Sequence, residues 1–100
     1  MKIQFNTDNN IEGNERLESY FLTIIEDQLS RYSSHITRIE VHLSEASSKQ
    51  GSENNMHCVL EARLKNLQPI AIKSAENTVE RAVSSALNKL KTTLDRQLKK

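Results

Sequence analysis

Glycine, proline, cysteine and tryptophan are scarce in this chain of 100 residues, which has two, one, one and none of them. Each shortage excludes something. With only Gly13 and Gly51, there is no glycine-rich loop to cradle a phosphate. With only Cys58, no intramolecular disulfide can form and no two-cysteine metal motif exists. Cys58 lies in an alternating apolar run, which points to a buried, inert thiol and fits a reducing compartment. The aromatics are two Phe and two Tyr, none interleaved with the basic positions of the C-terminal part, so base-by-base readout of single strands by stacking is not expected. No apolar run is long enough to span a membrane, and the opening MKIQFN has no signal-peptide core. A cytoplasmic protein without a membrane partner is therefore expected. A net charge of +1 rules out a uniformly cationic protein.

What is present is unevenly placed. Residues 1–50 hold 5 basic and 8 acidic groups, whereas residues 51–100 hold 9 and 5. From Arg81 onward, 6 basic groups face a single acid, Asp95. The stretch from Asn77 to Lys100 carries Val79, Val83, Ala86, Leu87, Leu90, Leu94 and Leu98 at steps of three and four, the period of an amphipathic helix. On a wheel of about 100° per residue, Arg81, Lys89, Arg96, Lys99 and Lys100 share one sector without an interleaved acid, and Lys91 lies apart. Such a strip either solubilises a surface helix or grips a polyanion. Ser85, Thr92 and Thr93 in or beside the sector offer hydroxyl donors.

The rest of the chain supplies the body that holds this helix. Residues 2–6 alternate as a half-buried strand, with Ile3 and Phe5 on one side. Turn formers follow, and Asn14 is placed to cap a helix expected over Glu15–Tyr32, whose stripe is Leu17, Phe21, Ile24, Ile25 and Leu29, with Tyr20 and Tyr32 at its edges. ITRIEVHLS, residues 36–44, reads as a strand with Ile39, Val41 and Leu43 inward and Arg38, Glu40 and His42 outward. After the polar segment EASSKQGSENN comes a second alternating strand, His57–Lys65, with Cys58, Leu60, Ala62 and Leu64 inward. A turn at residues 65–68 leads to a short strand over 69–73, and the last helix is expected to be capped by Asn77 with Glu80, or by Ser74.

The order β-α-β-β-β-α predicts an α+β fold of one domain, residues 1–100, with two helices packed on one face of a four-stranded mixed sheet. Right-handed crossover makes the first strand parallel to the second if they are neighbours, and the others form an antiparallel meander. The far face of the sheet is expected to be polar.

No enzymatic constellation is present, and Glu26–Asp27 reads as solvated helix surface. His42 and His57 both point outward from strands joined by one hairpin and can face each other, but two imidazoles without a third ligand make a weak metal site. No metal, no cofactor and no small-molecule substrate are expected.

The segments DNNIEG (Asp8–Gly13), Arg31–Tyr32 followed by HITRIEVHL, NKLK (Asn88–Lys91) and DRQLKK (Asp95–Lys100) stand in an order and spacing that resemble the short bacterial ribosome hibernation-promoting factor / RaiA family, also described as sigma-54 modulation or S30EA proteins. The resemblance implies a fold like that of double-stranded-RNA-binding domains. It implies binding to 16S rRNA of the small (30S) subunit and the 70S ribosome in the decoding channel, inhibition of translation, and preservation of idle ribosomes under stress. Matching positions for rRNA contact are Lys89, Lys91, Arg96, Lys99 and Lys100, with Arg31 at the end of the first helix. The main contacts are thus expected from Arg81, Lys89, Lys91, Arg96, Lys99 and Lys100 of the last helix, with Arg31 and Arg38 extending the patch if they lie nearby. Relatives commonly carry additional basic residues near Ile25 and Gln28 and at Thr92. The rival reading is a protein-interaction module without RNA binding, for example a homodimer formed through a sheet edge or the far sheet face.

Overall fold

The computed structural model describes residues 1–7, 15–45 and 56–98. The elements run β1 (Lys2–Thr7), α1 (Glu15–Gln28), a 3₁₀ turn (Ser30–Tyr32), β2 (Ile36–Glu45), β3 (Met56–Leu64), β4 (Ile70–Glu76) and α2 (Val79–Leu98). The sheet order is β1-β2-β3-β4. β1 is parallel to β2, with Ile3 beside Ile39 and Phe5 beside Val41, while β2, β3 and β4 form the antiparallel meander. The α+β class and the β-α-β-β-β-α order read from the sequence are those of the molecule.

Alternation explains the layering. Ile39, Val41 and Leu43 of β2 pair with Ala62, Leu60 and Cys58 of β3, and all six are buried. Phe21 and Ile25 of α1 and Val83, Ala86, Leu87, Leu90 and Leu94 of α2 cover this face and join the same core. Burial pushes the Cys58 thiol up to about 12, because a thiolate there would lose its hydration. The opposite face of the sheet carries Arg38, Glu40, His42, His57, Val59, Glu61 and Arg63.

Three boundaries differ from the sequence expectation. α1 stops at Gln28 rather than running to Tyr32. Ser30 Oγ donates to the Asp27 carbonyl at 3.1 Å, a local bond that competes with helix continuation. The following 3₁₀ turn swings Tyr32 into the core, where it is 4% exposed instead of lying at the edge of a helical stripe. β4 runs on to Glu76, so Ser74 belongs to a strand and not to a helix cap. It is buried, and its hydroxyl donates to the Ala82 carbonyl at 2.5 Å, tying β4 to the first turn of α2. The cap of α2 is Thr78, whose Oγ1 accepts from the Arg81 amide at 3.1 Å. In the turn before β4, Asn66 takes the left-handed conformation at φ 62°, which asparagine tolerates well. The proposed Asn14 cap and the DNNIEG and EASSKQGSENN segments lie outside the described residues, apart from Glu45. Among the described residues, no helix is long and apolar enough to cross a membrane.

Candidate nucleic-acid interface

The apolar stripe of α2 faces the sheet, so its outer side is dictated by what remains. Arg81, Lys89 and Arg96 are all exposed there, spread over about 22 Å at 1.5 Å per residue. Among the described residues no ion pair engages any of them. Lys89 reaches sideways, its Nζ donating to the Lys73 carbonyl at 3.2 Å. Lys73 lies on β4, an edge strand of the described sheet, so this contact occupies a main-chain acceptor that the sheet leaves open. Arg81 and Lys89 line a shallow groove with Ser84, Ser85, Asn88 and one acid, Glu76.

Two of the hydroxyls expected to donate outward are already committed. Thr92 Oγ1 donates to the Asn88 carbonyl at 3.1 Å, and Thr93 Oγ1 to the Lys89 carbonyl at 3.0 Å. They offer lone pairs outward, not protons, which suits a ligand's hydroxyl better than a phosphate oxygen.

The remaining sequence candidates sit elsewhere. Lys91 is half-buried on the side of α2 that faces α1, and its Nζ donates to Gln28 Oε1. Arg31 turns to the same seam. Its Nη2 donates to Asp95 Oδ1 at 2.8 Å and Oδ2 at 3.0 Å, and to the Tyr32 hydroxyl. The Arg31 guanidinium also lies 4.8 Å from the centre of the Tyr32 ring. Tyr32 in turn donates to Asp95 Oδ1 at 2.6 Å. The hydrogen bond to Tyr32 and the charge of Asp95 raise the Arg31 pKa, and burial followed by the bond to Asp95 raises that of Tyr32. The single acid near the end of α2 is thus spent on Arg31 and Tyr32, away from the outer strip.

Arg38 does not extend the patch. It projects from the open face of the sheet, the side away from both helices, and its Nη2 pairs with Glu40 Oε2 at 2.6 Å. The inward sets of β2 and β3 determine which outward residues meet, and they place His42 opposite Val59 and His57 opposite Ser44. The two histidines therefore do not face each other. Lys99 and Lys100 lie outside the described residues. Ile25 is fully buried, and Gln28 is the acceptor for Lys91.

Comparison with known proteins finds the same fold in solved structures. The N-terminal domain of Thermus thermophilus Protein Y has the same fold, with a TM-score of 0.70 at 18% identity over 96% of this chain and 98% of that one. A ribosomal subunit interface protein from Coxiella burnetii gives 0.74 at 18% identity, covering 100% of both chains. No curated protein matches the chain. The family described as sigma 54 modulation protein / S30EA ribosomal protein matches residues 3–100, and with that match over nearly its whole length the chain belongs to this non-enzymatic, ribosome-associated family.

Proposed function

We propose that this protein is a ribosome hibernation factor that binds 16S rRNA in the decoding channel of the small subunit, blocks translation there, and preserves idle 30S subunits and 70S ribosomes under stress. The observation that carries the reading is the strip of Arg81, Lys89 and Arg96, exposed and without an ion pair among the described residues, on an α2 whose other side is held by the sheet. Exposed cations on a rigid rod suit phosphate oxygens of folded RNA, and the absence of aromatic residues from α2 suits recognition of backbone and shape over bases. Lys99 and Lys100 continue the strip in the sequence. Lys91 and Arg31 act mainly by locking α1 to α2, which orients the strip. The protein works in the cytoplasm, where ribosomes are.

The experiment is co-sedimentation of purified protein with small subunits over a salt series. Phosphate contacts release counterions, so the logarithm of affinity should fall with the logarithm of salt at roughly 0.7–0.9 per neutralised phosphate. Three such contacts give a slope of about −2 to −3. Binding indifferent to salt, or an association that survives complete nuclease removal of RNA, overturns the reading and favours a protein partner.

A further inference from the structure

The open face of the sheet, opposite the helices, gathers three ligand-type side chains that no sequence motif joins. Glu40 and His42 are two positions apart on β2 and share that face, and Glu61 of β3 lies directly opposite Glu40 in the register. His42 Nε2 is 3.6 Å from Glu40 Oε1 and 3.7 Å from Glu61 Oε1. One ligand atom from each residue falls within 4.8 Å of the other two. Bonds of about 2.0–2.2 Å from a tetrahedral ion to N and O ligands place neighbouring donor atoms about 3.4 Å apart. Two of the three edges already stand close to that spacing, and the third is within 4.8 Å.

The electrostatics agree. Like charges directly opposite one another weaken an antiparallel pair. Arg38 takes only Glu40 Oε2, which leaves Oε1 turned toward His42. Among the described residues the only ion-pair partner of Glu61 is His42. In its Nδ1-protonated tautomer His42 presents a lone pair at Nε2, so acceptor atoms from three side chains converge on one point, with the Arg38 guanidinium held on the far oxygen of Glu40. The Arg38 bond also orients the Glu40 carboxylate from outside, the support that metal-binding carboxylates usually have. β2 and β3 are the two inner strands of the sheet, a rigid base for such a set.

We propose that Glu40, His42 and Glu61 form a surface site for a divalent first-row transition metal ion, with Zn²⁺ as the best match. One imidazole and two carboxylates suit Zn²⁺ better than Ca²⁺ or Mg²⁺, which take six or more oxygen ligands or keep most of their water. Water completes the coordination, and the ion neutralises the opposed acids of the open face. The site is distinct from the α2 strip and independent of it.

Isothermal titration of the full chain with ZnCl2 at neutral pH tests this. The expected result is one ion per chain with micromolar affinity. His42→Ala and Glu61→Gln should each weaken it by roughly tenfold or more, as loss of a ligand must at least match loss of an outer-shell partner. His57→Ala should leave it unchanged, and Co²⁺ in place of Zn²⁺ should give the visible absorption of a low-symmetry site. Circular dichroism confirms that each variant keeps the fold. No saturable binding, or binding that persists in His42→Ala and disappears in His57→Ala, overturns the proposal.

Discussion

The outer strip of α2 and the seam between α1 and α2 carry similar side chains and use them in opposite ways. On the strip, Arg81, Lys89 and Arg96 have no acidic partner among the described residues. In the seam, Arg31 is held by Asp95 and Tyr32, and Lys91 by Gln28. The difference comes from the wheel of α2: Asp95 and Lys91 sit on the flank nearest α1, while the strip sits away from it. A count of basic residues treats all of these as equal. Their geometry separates groups available to a partner from groups already occupied in holding the helices together.

The largest expected effect falls on the strip. Reversing both charges, Lys89→Glu with Arg96→Glu, should lower small-subunit affinity roughly 100-fold, if each charge-assisted contact contributes about 1.4 kcal/mol or more. Binding measured by co-sedimentation checks it, and a change under threefold breaks the contrast between the two regions. The seam should answer in stability instead. Asp95→Ala removes the acceptor of both Arg31 and Tyr32; loss of the bond to the hydroxyl of the buried Tyr32 should cost about 1 kcal/mol in urea unfolding, while the exposed Arg31 pair adds little. Freed from Asp95, Arg31 becomes available to phosphate, so RNA affinity should hold or rise slightly.

The seam should also show a pH dependence that the strip lacks. Tyr32 has its pKa raised above the ordinary 10.0, chiefly by burial. A raised pKa means that the folded state favours the protonated form, so this contribution is fully present below about pH 10 and is lost as pH climbs through the raised value. Unfolding free energy of the native chain should therefore decline from about pH 10 upward to the raised value more steeply than that of Tyr32→Phe, and equal slopes there would remove Tyr32 from the account. The smallest effect is expected for Thr78→Ala, which deletes the cap of α2 at a cost of about 1 kcal/mol or less in thermal or urea unfolding, with little change in binding.

Much of this was legible before any coordinates. Alternation in ITRIEVHLS and in the Cys58–Leu64 run specified two inner strands, because one slipped residue would expose every buried side chain. The stripe of α2 gave its inward side for the same kind of reason. What escaped depends on contacts between elements distant in the chain. Nothing local announces that Asp95 will meet Arg31, 64 positions away. Ser74 resembles a cap until a partner carbonyl at Ala82 is known. Tyr32 falls at the edge of a helical wheel only if the helix continues past Gln28, and the 3₁₀ turn that replaces it has no local signature. The pairing of Glu40 with Glu61 required a register that two long strands joined by a polar segment do not reveal from sequence alone.

The most direct test compares salt slopes for three proteins binding small subunits: the native chain, Lys89→Ala with Arg96→Ala, and Arg31→Ala with Lys91→Ala. The account predicts that removing the strip pair makes the slope shallower by about 1.4–1.8, while removing the seam pair changes it by less than about 0.5. Equal losses from the two pairs, or a larger loss from the seam, would contradict it.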